Sequence, residues 1–377
     1  MKKSPLLLIA MNMPLAFFLI FVRPLIPSII IFCLTNSNTM VYVAWLWTGL
    51  EATSPTGCNS FNLTVNAPLL KLSAVVSPQG SILGPLFFLL YINDLNNVST
   101  LVELILFADT NLFMSHKDPV YLAASLNSEL NKLSTWFKAN KLSLNLKKTN
   151  FMLFKPRQKR YHFPMQICIN EQRIEQVKET VFLGVVLDEH LSWKPHISQV
   201  ARKISKSIGV INRARFFLPK PCLKTLYYCL VYPYLHYCII VWGSTYKTNL
   251  RRLVSLQKRV IRIISKSTFD SHSDPIFKEL ELLKLSDIRQ LELGKLMFSL
   301  NHSLLPSKFN NYFSLNKQVH SYATRDANDF HLPFCRTNLR KFSVSFQGPT
   351  YYNSIENDIK ESNSLHLFKT KLKKNYI

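Results

Sequence analysis

The hydrophobic pattern predicts an α+β chain: a small antiparallel sheet with helices, followed by a longer α-helical region. Three observations carry this. Leu104 to Met114 reads as a tight hairpin of two strands around Asp109. Leu122, Leu126, Leu130, Leu133 and Phe137 recur at helical spacing, giving an amphipathic helix that ends near Asn140. After Ser192 the period is helical to about Leu304.

A chain of 377 residues with 47% hydrophobic content can bury a core and allows two or three domains. The formal charge of +24 favours a polyanionic partner, nucleic acid or an anionic membrane surface. Between His190 and Phe269 there are fifteen Lys and Arg and no Asp or Glu. Such a run is either a solvated basic face or a surface that tracks phosphates. The seven cysteines show no CxxC and no zinc spacing, and Cys229, His236 and Cys238 lie in an apolar, aromatic stretch that reads as buried structure.

The N-terminus differs from the rest. Ser4 to Val22 and Pro24 to Leu50 carry no charge and follow Lys2-Lys3. That pattern suits a signal peptide or membrane span, and equally translated flanking sequence. Ile82 to Ile92 then reads as a buried helix opened by Gly84-Pro85, and short strands follow at Phe151–Phe154, Met165–Ile169 and Val181–Leu187. The helices expected beyond are His196–Arg215, Pro221–Trp242, Leu250–Ser265, Asp274–Leu283 and Asp287–His302. Pro219 and Pro221 break the first pair and Gly243 ends the second. Tyr227, Tyr228, Tyr232, Tyr234 and Tyr237 are expected to fill the core between helices rather than stack on bases.

Several short motifs occur in a telling order. Ser77-Pro78-Gln79-Gly80 precedes Phe107-Ala108-Asp109-Thr110 by about thirty residues. Trp136-Phe137-Lys138-Ala139-Asn140-Lys141-Leu142-Ser143-Leu144-Asn145 follows, then Phe182-Leu183-Gly184-Val185-Val186-Leu187-Asp188, and later Tyr232-Pro233-Tyr234-Leu235-His236-Tyr237. Together they resemble the reverse transcriptase of non-LTR (LINE/jockey-like) retrotransposons from about Leu69 to the C-terminus. The resemblance implies a partial right-hand polymerase palm and then a thumb-like helical region. Residues 1–67 stand apart as a hydrophobic leader unrelated to the family, 68–190 as the palm, 191–305 as the basic thumb-like region and 306–377 as a C-terminal extension.

It also implies roles. In the family the hairpin motif reads F-A-D-D, and two Mg2+ ions are held by its aspartates and by one from an upstream strand. Here Asp109 stands for one hairpin carboxylate, and between Met1 and Asn93 there is no Asp and only Glu51. The expectation is therefore an RNA-directed DNA polymerase by descent, catalytically inactive, without a two-metal site. Asp94 reads instead as a cap or turn residue.

Gln79 and Gly80 match residues beside the template and incoming nucleotide, Lys148 one that assists pyrophosphate departure, and Phe182, Leu183 and Gly184 the primer grip. Structurally, Lys148 could equally be a solvated charge, and the Phe182–Gly184 run a core strand with a glycine. Arg202, Lys203, Lys206, Arg213 and Arg215, with Arg251, Arg252, Lys258, Arg259 and Arg262, would hold an RNA template or RNA–DNA duplex. The competing readings are a non-catalytic nucleic-acid-binding remnant and a membrane-associated protein directed by residues 4–50. By resemblance the location is nucleus or cytoplasm, with a membrane open from the N-terminus. No protein partner is implied, the N-terminal endonuclease of many such elements has no room, and nothing suggests a protease, kinase or metal hydrolase.

Overall fold

The computed structural model describes residues 84–107, 109–116, 118–140, 142–155, 166–306, 309, 312–319 and 326–376, with backbone segments 17–22, 24–25, 29–33, 60–63 and 72–77 before them. It is a mixed α/β chain of small sheets and many helices that divides into two compact units, one within Pro14–Lys178 and one whose described residues run from Glu179 to Tyr376.

In the first unit the main sheet draws strands from distant sequence. They are β1 (Phe17–Val22), β5 (Glu103–Phe107), β6 (Asp109–Ser115), β7 (Asn150–Phe154) and β8 (Glu175–Gln176), in the order β8–β7–β1–β6–β5. A second sheet holds β2 (Ile29–Cys33), β3 (Ser60–Leu63) and β4 (Leu72–Ser77), with β4 central. All pairs in both sheets are antiparallel except β7 with β8.

Helix α1 (Gly84–Tyr91) falls on the apolar stretch expected to be helical. Helix α2 (Pro119–Ala139) starts where the Asp118 carboxylate accepts from the Val120 N–H at 3.0 Å and Pro119 supplies a preset φ. Its stripe of Leu122, Leu126, Leu130, Leu133 and Phe137 is buried with Leu112 and Met114 of β6 and Phe151 and Leu153 of β7 in one core. Period 3.6 on the helix and period 2 on the strands thus aim the same residue types at one interior.

The position of β1 departs from the sequence expectation. Residues 1–67 read as a leader apart from the family, yet Phe17–Val22 is hydrogen-bonded to β6 on one edge and β7 on the other. A short continuous apolar run fits a sheet strand as well as a leader, so the string alone does not separate the two. Among the described residues no helix is long and apolar enough to cross a membrane. The membrane expectation rests on residues 4–50, which lie outside the described residues apart from the strand segments.

The second unit opens with a hairpin of β9 (Glu179–Phe182) and β10 (Val185–Asp188), then turns helical. The structure divides at Lys178 rather than near residue 190, so this hairpin folds with the helices. The next helices are α3 (Lys194–Ala214), α4 (Lys220–Leu230), α5 (Tyr232–His236), α6 (Ile239–Trp242) and α7 (Lys247–Ser265). Helices α8 (Ser273–Glu279), α9 (Leu285–Asn301), α10 (Val344–Asn353) and α11 (Leu365–Lys374) follow, with shorter turns between. The single helix expected over Pro221–Trp242 is three pieces. Pro233 has no N–H to donate, and Cys238 takes a left-handed φ of 52°.

Two buried features join these helices. Gln257, 1% exposed, donates to the Tyr227 hydroxyl and the Leu283 carbonyl, each at 2.9 Å, and accepts from the Leu285 N–H at 2.9 Å. The C-terminal stretch is no separate body: Phe368 of α11 stacks on Phe298 of α9 at 4.5 Å, and Gly294 lets the Leu372 side chain lie against α9. The tyrosine expectation holds in part. Tyr227 is buried, whereas Tyr228, Tyr234 and Tyr237 are exposed where the helix breaks. Cys229, expected buried, is exposed, and partly exposed His236 pairs with Glu292 at 3.1 Å.

Candidate nucleic-acid interface and the polymerase motif

Asp109 is the first residue of β6, and the register sets Phe107 opposite Asp109. One residue, Ala108, separates them, whereas the common tight hairpins use two. Beside β6 runs β1, paired Val22 to Thr110 and Phe21 to Asn111. Its sequence, Phe17-Phe18-Leu19-Ile20-Phe21-Val22, contains no carboxylate. Further along β6 the Asn111 side chain donates to the Ile105 carbonyl at 3.2 Å, fastening the hairpin. Among the described residues no group of three or more His, Cys, Asp or Glu is placed to hold a metal. Asp94 accepts from the indole N–H of Trp136 at 3.2 Å, which is structural work. Magnesium takes oxygen ligands from several carboxylates, and the two strands of this hairpin carry Asp109 and Glu103.

Gln79 and Gly80 lie outside the described residues. Lys148 is exposed at the end of a short 3-10 turn, Leu146–Lys148. Phe182, Leu183 and Gly184 form the β9–β10 turn. Phe182 is 2% exposed, while Leu183 and Gly184 both take positive φ, 48° and 78°. Two positive φ values in a two-residue loop define a type I′ turn, which explains the glycine without any ligand. The Tyr237 hydroxyl donates to the Leu183 carbonyl at 2.6 Å and fixes the tip. Asp188 ends the hairpin and accepts from the N–H groups of Ser192 and Trp193 at 3.0 and 3.1 Å, organising the entry to α3.

His196, buried in the first turn of α3, accepts from the Val186 N–H through Nδ1 at 3.3 Å and lies against Trp242. Burial, with a smaller push from Lys203, lowers its pKa from 6.5 to about 4. It is therefore a neutral acceptor at pH 7. At Glu292 burial pushes the carboxyl pKa up, but hydrogen bonds from His236 and Lys295 outweigh it and hold the group below its usual range.

Helices α3 and α7 pack against each other and carry nine of the ten basic candidates, with Arg215 capping the C-terminus of α3. In α3 the buried stripe is Ile197, Val200, Ala201, Ile204, Ile208 and Ile211. At 3.6 residues per turn, Arg202, Lys206 and Arg213 fall within about 40° of one another on the opposite side. All three are exposed, as is Lys203, whose ammonium sits 5.4 Å from the Tyr234 ring centre. Arg215 is half-buried, its guanidinium 4.8 Å from the Phe216 ring centre.

In α7 the buried set is Leu253, Gln257, Val260, Ile261, Ile263 and Ile264. Arg251, Arg252 and Arg259 are exposed on the other side. Lys258 and Arg262 are half-buried, and Arg262 donates through Nε to the Ser271 carbonyl at 2.8 Å. None of the ten forms an ion pair with a carboxylate of the described residues.

The sequence reading passed over Lys247, which is exposed one turn before Arg251 on the same side; its four-residue spacing was the available signal. Both helices begin with lysine and have no acid in their first turn. A cation there opposes the helix dipole at a cost of about 0.3–1 kcal/mol, which a bound anion would offset.

Residues 26–187 match the family "Reverse transcriptase (RNA-dependent DNA polymerase)". The chain is similar to polymerases of mobile elements. It is 24% identical over 220 residues to the probable RNA-directed DNA polymerase from transposon X-element of Drosophila melanogaster, covering 56% of this chain and 24% of that protein. To the RNA-directed DNA polymerase from mobile element jockey of the same species it is 24% identical over 243 residues, 62% of this chain and 26% of that protein. The jockey polymerase of Drosophila funebris is 26% identical over 221 residues, 56% of this chain and 24% of that protein. The chain thus spans about a quarter of the length of the curated relatives it matches. No solved structure matches it.

Proposed function

We propose that this chain is a mobile-element reverse transcriptase descendant that holds template–primer nucleic acid without adding nucleotides. In this reading the five-stranded sheet with α2 is the remaining palm, and the helices from α3 onward are the thumb-like region. The carboxylate inventory carries the proposal. Nucleotide addition needs carboxylates from two neighbouring elements to hold the metals that activate the 3′ hydroxyl and stabilise the leaving pyrophosphate. Asp109 is the one acid of Phe107–Asn111; of the two strands paired with β6, β1 is wholly apolar and β5 carries only Glu103, opposite Phe113 at the far end of the hairpin.

Binding is a separate property and needs only clustered cations. Arg202, Lys206 and Arg213 on α3 and Arg251, Arg252 and Arg259 on α7 are solvent-facing and belong to an acid-free run of eighty residues. RNA template and RNA–DNA duplex are the proposed ligands; the name of each relative supplies that substrate class.

The test is thermal unfolding of the full chain with and without an RNA–DNA template–primer, at low and high salt. A ligand that binds only the folded state raises its melting temperature. A rise at low salt that disappears at high salt supports the proposal, and no rise at either salt refutes it.

A further inference from the structure

The connection between α3 and α4 displays two adjacent aromatic rings to solvent. Phe216 is 71% exposed and Phe217 is 87% exposed, the most exposed large hydrophobic side chain among the described residues. The pair does not dangle from a loose loop. The N–H groups of Phe217 and Leu218 both donate to the Ala214 carbonyl, at 3.0 and 2.9 Å, and Pro219 then leads into α4. Val210, nearly two turns earlier on α3, is also 54% exposed.

Surface of this kind normally marks a contact site, and its surroundings say what kind. Arg213 is exposed on the last turn of α3, and the Arg215 guanidinium lies over the Phe216 ring. Behind them Arg202 and Lys206 continue the basic side of the helix. No Asp or Glu occurs between His190 and Phe269. The C-terminal end of a helix repels anions, and Arg213 and Arg215 are placed to reverse that sign locally. Lys220 is excluded from this set, since it pairs with Glu279.

A cationic rim around two exposed rings, one of them with the Arg215 guanidinium over one face, matches a ligand with phosphates and open π-faces. In a duplex the bases are already stacked on one another, so the open faces belong to unpaired bases. We propose that the Phe216–Phe217 turn is a stacking platform for unpaired bases of a single-stranded nucleic acid whose phosphates lie along Arg202, Lys206 and Arg213. This rests on the nucleic-acid reading above and specifies a ligand form and a subsite for it.

The experiment uses the full chain and two probes of equal length, an oligoadenylate and an abasic phosphodiester, read by fluorescence anisotropy at two salt concentrations. Stacking of one base on an aromatic side chain corresponds to about 5- to 150-fold in affinity. The wild type should prefer the oligoadenylate by a factor in that range. The double variant Phe216→Leu with Phe217→Leu keeps apolar bulk without rings. It should lose the preference while its affinity for the abasic probe, its salt dependence and its melting temperature stay unchanged.

Equal binding of both probes by the wild type overturns the platform and leaves phosphate binding standing. Binding of neither overturns the nucleic-acid reading and the platform together. A leucine variant that keeps the preference overturns stacking as its source. Phosphatidylserine vesicles are titrated in parallel with both proteins, and a loss by the leucine variant confined to them, with oligonucleotide binding intact, makes the turn a membrane contact and also overturns the proposal.

Discussion

Lowering the pH should destabilise the helical unit through one side chain, His196. Its ring accepts a hydrogen bond from Val186 N–H and lies against Trp242 with no carboxylate partner in those contacts. Its pKa falls from 6.5 in the unfolded chain to about 4 in the folded one. Between those values the unfolded state binds more protons than the folded state, so stability rises with pH there. The contribution is present in full above pH 6.5 and is lost as pH falls toward 4. At 1.36 kcal/mol per pH unit, that interval corresponds to about 3 kcal/mol.

The assay is urea unfolding of the full chain at a series of pH values from 7 to 4, for the wild type and for His196→Phe. Other histidines and carboxylates titrate in both proteins, so the difference between the two curves isolates this residue. The wild type should lose about 3 kcal/mol more than the variant across the range. Parallel curves would refute a buried neutral imidazole at this position.

Three further outcomes follow from the same geometry. Replacing Gln257 by Leu leaves the Leu285 N–H, the Leu283 carbonyl and the Tyr227 hydroxyl without their partner, and should cost about 3 kcal/mol in chemical unfolding at roughly 1 kcal/mol per bond. Gly184→Ala places a β-carbon at φ 78°, where space exists but the backbone is strained, and should lower stability by about 1 kcal/mol in the same assay. The triple change Arg202→Ala, Lys206→Ala and Arg213→Ala should reduce the slope of log affinity against log salt by roughly 2–3 for an RNA–DNA duplex, with little change in melting temperature. An unchanged slope would remove these residues from the interface.

How much of this was legible in the sequence depended on where the information lay. Helix α2 was readable because one stripe, Leu122 to Phe137, faces one core over about four turns, and local period is enough. The β5–β6 hairpin was readable because its strands are neighbours in sequence. Strand β1 was not, since its partners lie about ninety and one hundred and thirty residues away and its apolar run fits a leader as well as a strand. The break at Pro233 was written in the residue itself yet was outweighed by the helical period on either side.

The candidate site divides the same way. The missing carboxylates could be counted without coordinates, and so could the basic run. Which cations are free could not: Arg262 is tied to a carbonyl of the next turn, a contact that no spacing rule announces. Phe216 and Phe217 were unreadable for the opposite reason. Two phenylalanines after an amphipathic helix look like core, and their exposure is set by the turn that precedes α4.

The central claim is that binding has outlived chemistry. The most direct measurement is primer extension by the full chain on an RNA template with a DNA primer, in magnesium and deoxynucleotides, with complex formation verified in the same tube. The account predicts a salt-sensitive complex and a primer of unchanged length. Extension of the primer, even by a few nucleotides, would contradict it, because the carboxylates of this chain would then hold the metals after all.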